Sequence, residues 1–335
     1  MAKKRQIPLQ LFKLAEDLGL KASADPQAAI LEYCRIKVDT FLREMGDCIS
    51  LSDFLNWMAN RVGTSFRIVR HNVDLENIKS EFLNLGEKVF ARLESELSSD
   101  VYGVTYRLQN AKPWEHQFVS VIDCRGIKGS RSYFTKWHEI AHLLTLTEQM
   151  RLVFRRTHSE YGKQDPEEHL MDVIAGRFGF HLAVFERFIA SDISFDEIER
   201  LRRELCPEAS LQASLISFHR YWPSPSMLLR VELGFNRDQK QKLQQNSFDF
   251  VEEPEAVLRA VSVSVNEAAR GLGFQLFENM RVPPSSFLHQ IFLERLNNGE
   301  GMEDFAQWTG REAMSVKIIA RFRDEGIDAL IAPVL

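Results

Sequence analysis

The segment that decides the fold is 130-SRSYFTKWHEIAHLLTL-146, in which residues 138–142 read H-E-I-A-H. Its apolar residues follow the 3.6-residue period of a helix, and Ser130 or Ser132 is available to cap the first turn. His138 and His142 are four residues apart, so on a helix both imidazoles project from one face and can reach a single metal ion. The segment therefore predicts a helix that carries two ligands of a zinc site.

The residue after the first histidine supplies a second kind of chemistry. Glu139 points partly around the helix, beside the metal rather than onto it, where its carboxylate can accept a proton from a zinc-bound water. This arrangement is typical of a metal-dependent hydrolase. The alternative is an ordinary helix on which both histidines are surface or core residues.

A third ligand separates these interpretations, because a catalytic zinc ion usually has three protein ligands and one open position. The metzincin arrangement needs glycine at 145 and histidine at 148, but the chain has Thr145 and Glu148, which excludes it. The other arrangement takes an acid from a following helix, which we expect to begin at Pro166. That helix offers Glu167, Glu168, His169 and Asp172.

Glu168 and Asp172 are spaced i, i+4 and share one face of the predicted helix. Glu168 could bind the metal while Asp172 accepts the outer N–H of a histidine ligand. The alternative is that residues 165–169 form only an acidic first turn, favoured by the helix dipole. Glu167 fits the role of a first-turn acid better than Glu168 does. Asp172, on the same face as Glu168, precedes an apolar stretch, and a carboxylate beside such a core needs a partner.

These residues resemble the ImmA/IrrE family of zinc metallopeptidases over about residues 50–190. The family's motif helix commonly reads R-x-x-F-T-x-x-H-E-x-x-H, and its third-ligand helix E-x-x-A-N/D-x-F-A. The chain matches these patterns at Arg131, Phe134, Thr135, His138, Glu139, His142, Glu168, Asp172 and Ala175. It departs from the family at Ala141, Met171 and Ile174, which are packing positions.

The resemblance implies a thermolysin-like zinc peptidase core whose small sheet contains residues 103–108 and 119–123. An edge strand of such a sheet could hold an extended substrate by backbone pairing. Zinc would polarise the scissile carbonyl, Glu139 would activate water, and a further donor would stabilise the oxyanion. Candidates for that donor are His158, Tyr161, Arg177 and His181. Family members tend to cut helix-turn-helix repressors in stress-response or mobile-element and phage control, so we expect such a protein substrate.

The chain as a whole is predicted to be α+β and mostly helical, with four parts. Residues 1–50 form a helical extension, 51–190 the peptidase domain, 191–235 a helix-turn-helix-like unit, and 236–335 a mixed C-terminal sensor or docking domain. In the last part, Thr309 and Glu312 resemble a capping box, which predicts a helix running to Gly326.

Composition limits the remaining function classes. Forty-two Lys and Arg against 47 Asp and Glu give a net charge of −5, which argues against direct DNA binding. The four dispersed cysteines, Cys34, Cys48, Cys124 and Cys206, predict free thiols in a reducing compartment. No signal peptide or membrane span is predicted, so we expect a cytoplasmic protein.

Two other functions stay open from sequence. One is a non-proteolytic DNA- or protein-binding regulator with a structural or vestigial zinc site. The other is a zinc peptidase that trims short peptides. An intact Glu139 favours hydrolysis over the regulator.

Overall fold

A computed structural model describes residues 8–20, 24–47, 50–146, 165–236, 238–239, 255–310 and 313–334, and the backbone of 153–157. These residues form an α+β fold with two sheets. It divides into two compact units, one of residues 1–189 with 201–213 and one of residues 190–200 with 214–335. The four-part division expected from sequence stays a prediction.

The described part of the first unit contains four strands, β1 Thr64–Val69, β2 Val101–Arg107, β3 Phe118–Asp123 and β4 Val153–Thr157. The described helices within residues 1–189 are α1 Leu9–Asp17, α2 Pro26–Met45, α3 Leu51–Arg61, α4 Asn72–Asn84, α5 Leu93–Glu96, α6 Ser132–Leu144, α7 Pro166–Phe178 and α8 Leu182–Phe185. Short 3-10 turns span Lys88–Arg92, Gly126–Arg131 and Glu186–Phe188.

The sheet of the first unit has the order β1-β3-β2-β4. Strand β1 runs parallel to β3, whereas β2 is antiparallel to both β3 and β4. Successive side chains alternate between the two faces. One face packs in an apolar core that includes Val104, Tyr106 and Val119. The other face carries Gly103 and Thr105 and contacts α6.

Helix α6 confirms the helix predicted around the H-E-I-A-H segment. The predicted serine cap is wrong: Arg131 is the N-cap residue and no side chain caps the helix. The reason is that a 3-10 turn leads directly into α6. Every side chain of α6 from 135 to 144 is buried, including Lys136. The helix therefore lies in the interior of the unit and has no solvent-exposed face between residues 135 and 144.

Helix α7 begins as predicted, with Pro166 in its first turn and Asp165 as N-cap, whose side chain accepts a hydrogen bond from Glu167 N at 2.8 Å. The C-terminal end of α7 packs closely on α6. A Cβ added at Gly179 would lie 3.1 Å from the Trp137 ring, and the Tyr133 hydroxyl donates to Gly179 O at 2.5 Å. This close approach fixes the spacing between the two helices that carry the predicted ligands.

The second unit is built on an antiparallel sheet of order β6-β5-β9-β8-β7. Its strands are β5 Met227–Gly234, β6 Val257–Val265, β7 Asn298–Asp304, β8 Ser315–Arg323 and β9 Gly326–Pro333. Helices α9 Phe195–Leu205 and α10 Leu211–Tyr221 precede the sheet in sequence, and α11 Glu267–Gly271, α12 Phe287–Glu294 and α13 Ala306–Thr309 occur between its strands.

The helix predicted from Thr309 to Gly326 is wrong. Helix α13 ends at Thr309, Gly310 has a φ of 66° that terminates it, and residues 315–323 form β8. These residues alternate between buried and more exposed positions, as Val316 and Ile318 do with Lys317 between them. Pairing with β7 and β9 stabilises the strand, so long-range contacts override a local capping pattern. Glu312 lies outside the described residues.

Two further expectations concern the cysteines and the membrane. Cys34, Cys124 and Cys206 are free thiols as predicted, and burial raises the pKa of Cys34 to about 12; Cys48 lies outside the described residues. Among the described helices, none has the length and apolar character that crossing a bilayer requires.

Candidate metal centre

His138, His142 and Glu168 form a cluster between α6 and α7. One donor atom from each residue lies within 4.8 Å of the others. The Nε2 atoms of the two histidines are 3.2 Å apart, and Glu168 Oε2 is 3.1 Å from His138 Nε2. Glu168 Oε1 is 3.5 Å from His142 Nε2. The structure therefore brings together the three predicted ligands, and the group could hold a metal ion.

The spacing of these donors fits an ion of the size of zinc. Ligands at about 2.0–2.1 Å from a tetrahedral centre are separated from one another by roughly 3.3–3.4 Å. The two Nε2 atoms lie 3.2 Å apart, close to that separation, and Glu168 presents Oε2 to His138 at 3.1 Å and Oε1 to His142 at 3.5 Å. Two imidazoles and one carboxylate are also a donor set that zinc accepts, although other divalent transition metals share it.

Asp172 takes the position expected of a partner to a metal ligand. Its Oδ1 lies 2.9 Å from Nδ1 of His138. An ionised carboxylate only accepts hydrogen bonds, so Nδ1 carries the proton and the lone pair of Nε2 faces the cluster. This is the tautomer that an Nε2 ligand needs.

Without a cation, these contacts require a proton. If His138 donates to Asp172 and is otherwise neutral, its Nε2 lone pair faces a carboxylate oxygen of Glu168 at 3.1 Å, which is repulsive. Either a second proton on His138 or a metal ion removes that repulsion. The cluster is therefore a place where a positive charge is stabilised.

The charge state of Glu168 agrees with this. Burial disfavours its ionised form, but hydrogen bonds from protonated His138 and His142 and the positive charge of those rings outweigh burial and hold the pKa of Glu168 well below its usual range. Its side chain is one quarter exposed. Glu168 is therefore an ionised carboxylate that faces both imidazoles and could bind a metal ion through its oxygen atoms.

Glu139 follows His138 in α6, is fully buried and interacts electrostatically with His138, His142 and Glu168. Its Oε2 accepts a hydrogen bond from the Thr105 hydroxyl at 2.7 Å, whereas Oε1 is buried with no partner among the described residues. Burial raises the pKa of Glu139, partly offset by the nearby histidines and by Thr105. A carboxylate with a raised pKa and one unbonded oxygen is suited to accept a proton.

The remaining predicted residues lie elsewhere. Glu167 and His169 are on α7 but outside the donor cluster, and His169 is exposed. Tyr161 and His158 lie outside the described residues. Arg177 contacts the Phe178 ring, with Cζ 5.9 Å from the ring centroid.

His181 is held by a different partner. Its Nε2 lies 3.3 Å from Asp39 Oδ1 on α2, its ring packs on Phe54, and burial lowers its pKa. This contact joins α2 to the segment after α7. The oxyanion role considered for His181 from sequence stays a prediction.

Sequence reasoning missed three residues that position α6 and Glu139. Thr105 bonds the carboxylate, and Gly103 lies so close that an added Cβ would be 2.8 Å from Glu139 Oε1. Lys37 donates from α2 to Leu144 O at 3.0 Å, at the last turn of α6. The isolated glycine in a strand pattern was a usable signal, since it marks a bulge or a close approach, and the β2–β4 register does shift there. Thr105 and Lys37 gave no local signal.

No protein-family model matches this chain, and no curated protein matches its sequence. Its chemistry is therefore inferred from the site itself.

Proposed function

We propose that the protein is a zinc-dependent endopeptidase with its site at His138, His142 and Glu168. The observation that carries the proposal is Glu139, a buried carboxylate beside three converging metal donors that has one oxygen bonded and the other without a partner among the described residues. A cluster that served only to neutralise charge would not need this fourth, separate acid.

The proposed reaction is hydrolysis of a peptide bond. Zinc bound at this site supplies a Lewis acid that polarises a carbonyl oxygen and makes water easier to deprotonate. Glu139 accepts the proton from the attacking water at Oε1 and then delivers it to the leaving amine nitrogen. Asp172 holds the His138 ring in the required tautomer. Water and peptide are consumed, and an amine and a carboxylic acid are released.

The number of ligands favours catalysis over a structural metal. Structural zinc sites are usually closed by four protein ligands, often cysteines. In the part of the chain that the structure describes, the group contains two histidines and one glutamate and no cysteine. This donor set supports the peptidase over the alternative, a DNA- or protein-binding regulator with a structural or vestigial zinc site.

The resemblance to the ImmA/IrrE family suggests the substrate. A thermolysin-like core would place an extended peptide along an edge of the sheet, and β4 is one edge of the order β1-β3-β2-β4. We propose that the substrate is a helix-turn-helix transcriptional repressor, cut in stress response or in mobile-element or phage control. Such a substrate would place the reaction in the cytoplasm.

The test compares wild type, Glu139→Gln and Glu167→Gln. Metal content is measured in each purified protein, and each is then incubated with zinc and a repressor encoded beside the gene. We expect all three to bind one zinc ion and only Glu139→Gln to lose cleavage. Glu167→Gln is the matched control, since it removes a carboxylate of α7 outside the cluster. Zinc binding without cleavage by wild type, or equal cleavage by Glu139→Gln, would instead favour the regulator.

A further inference from the structure

Three buried hydroxyls lead from the far strand of the first sheet to Glu139. Thr64 Oγ1 lies 2.9 Å from Ser120 Oγ, and Ser120 Oγ lies 2.6 Å from Thr105 Oγ1. Thr105 then donates to Glu139 Oε2 at 2.7 Å. We call these three residues, Thr64, Ser120 and Thr105, the hydroxyl chain. All four side chains are at most 1% exposed.

The strand register produces this chain. Ser120 on β3 is directly opposite Thr105 on β2, on the face that packs against α6. Thr64 is the first residue of β1, which is the parallel neighbour of β3. Each strand thus contributes one hydroxyl in a region where the sheet would ordinarily bury apolar side chains. Burying three hydroxyls is costly unless each is hydrogen-bonded, and the chain provides those bonds.

The bond from Thr105 to Glu139 fixes the direction of every bond in the chain. Thr105 has one hydroxyl hydrogen, and it is used on Oε2 of Glu139. Ser120 must then donate to Thr105, and Thr64 to Ser120. Hydroxyl donors in series polarise and strengthen one another. Thr105 is therefore a donor with a fixed orientation.

Gly103 restrains the same carboxylate from another side. A Cβ at this position would lie 2.8 Å from Glu139 Oε1 and 2.8 Å from Thr135 Cγ2, so the backbone of β2 is packed directly against the acid. With Oε2 bonded to Thr105 and Oε1 against Gly103, the carboxylate has little freedom to rotate. Oε1 is then the oxygen left to accept a proton.

We infer that Thr105, supported by Ser120 and Thr64, is a positioning residue that orients Glu139 for proton transfer in the proposed peptidase, an inference that rests on the proposed function. It acts on the proton acceptor and not on the metal, because among the described residues its hydroxyl bonds to Glu139 and Ser120 and to none of the three ligands. It should therefore affect turnover without affecting metal binding or substrate affinity.

The kinetic test compares Thr105→Val, which keeps the shape and removes the hydroxyl, with Thr105→Ser, which restores it. We expect kcat to fall about 10- to 100-fold in Thr105→Val, as for a slightly misplaced catalytic group, with KM and zinc content unchanged. Thr105→Ser should recover most of the loss. Ser120→Ala should give a smaller fall and Thr64→Val the smallest, because each is one bond further from Glu139.

The control is Ser286→Ala in the second unit. Ser286 is also buried and donates to a buried carboxylate, Glu303 Oε1, at 2.8 Å. Its loss should lower the melting temperature and leave kcat unchanged. If Thr105→Val lowers only the melting temperature, as this control does, or if kcat falls equally along the hydroxyl chain, the positioning role is wrong.

A second readout needs no turnover. Infrared difference spectra between metal-free wild type and Glu139→Gln isolate the carboxyl bands of Glu139. We expect Thr105→Val to shift those bands and Thr105→Ser to return them towards the wild-type position. Bands that are identical in wild type and Thr105→Val would overturn the inference. If Thr105→Val shifts the bands but the wild-type protein cleaves no substrate, the result would count against the proposed function alone.

Discussion

His138 Nδ1 and Asp172 Oδ1 lie 2.9 Å apart, joining α6 to α7 across 34 residues of sequence. The bond sets which ring nitrogen of His138 carries the proton, and hence which one faces Glu168 and His142. Asp172 is 30% exposed at its side chain, so it can be replaced without leaving a large buried gap.

Asp172→Asn is therefore expected to weaken zinc binding about 10- to 100-fold, the usual effect of removing a partner of a metal ligand. The amide lacks the negative charge that favours the Nδ1–H tautomer. Competition with a chromophoric chelator measures the affinity. Glu167→Gln, on the same helix, should leave the affinity unchanged, and an equal affinity in Asp172→Asn would argue against the tautomer role.

Gly103→Ala should displace the Glu139 carboxylate. The added methyl would lie 2.8 Å from both Glu139 Oε1 and Thr135 Cγ2, a separation that real contacts do not adopt. We expect a loss of about 1–3 kcal/mol in stability from overpacking. Peptidase activity should fall further than this loss of folded protein explains, which assays on the folded fraction will measure.

The matched control for that change is Gly176→Ala. Gly176 lies inside α7, and an added Cβ would be 3.8 Å from the Phe134 ring, an ordinary contact. Because alanine is a better helix former than glycine, this variant should gain about 0.5–1 kcal/mol. Equal losses in both variants would mean that the approach of β2 to Glu139 has no special role.

Lys37→Met should loosen the end of α6. Lys37 Nζ donates to Leu144 O at 3.0 Å, where it satisfies a terminal carbonyl and complements the negative end of the helix dipole. We expect a loss of about 0.5–1.5 kcal/mol. Faster amide exchange in the last turn of α6 would show where the loss occurs. Lys13→Met, at an exposed position of α1, serves as the control.

The stability of the second unit should decrease in mild acid because of His219. This side chain is fully buried, and burial lowers its pKa from 6.5 to about 4. Between these values the unfolded chain binds a proton that the folded chain does not, so stability falls as pH falls from about 6.5 to about 4. The full loss is about 3 kcal/mol, and no further loss from this residue is expected below pH 4.

Urea unfolding at several pH values measures this effect in wild type and His219→Gln. Glutamine keeps an N–H donor for Ser226 O, which His219 Nε2 contacts at 3.2 Å, but it does not titrate. The variant should have a shallower pH dependence, and the exposed His169→Gln should not. Unfolding of the first unit should keep a pH dependence of its own, because burial lowers the pKa of His181 there. Parallel curves for all three proteins would contradict the assignment.

Sequence alone determined the parts of the site that are local. The interval between His138 and His142 fixes both rings on one face as soon as the segment is helical, because helix geometry repeats every 3.6 residues. The same reasoning placed Glu168 and Asp172 together on α7, with Pro166 at its start. Local rules failed at residues 309–326, where alternation and strand pairing outweighed a capping pattern.

Only the tertiary structure decided what surrounds these residues. The bond from Thr105 to Glu139 spans 34 residues, and the bond from Lys37 to Leu144 spans 107. Neither residue type is unusual in its own strand or helix, so nothing nearby in sequence marks it. Such contacts depend on which strand lies beside which and on how closely α6 packs on the sheet, and these are set by burial of the whole unit and not by any local period.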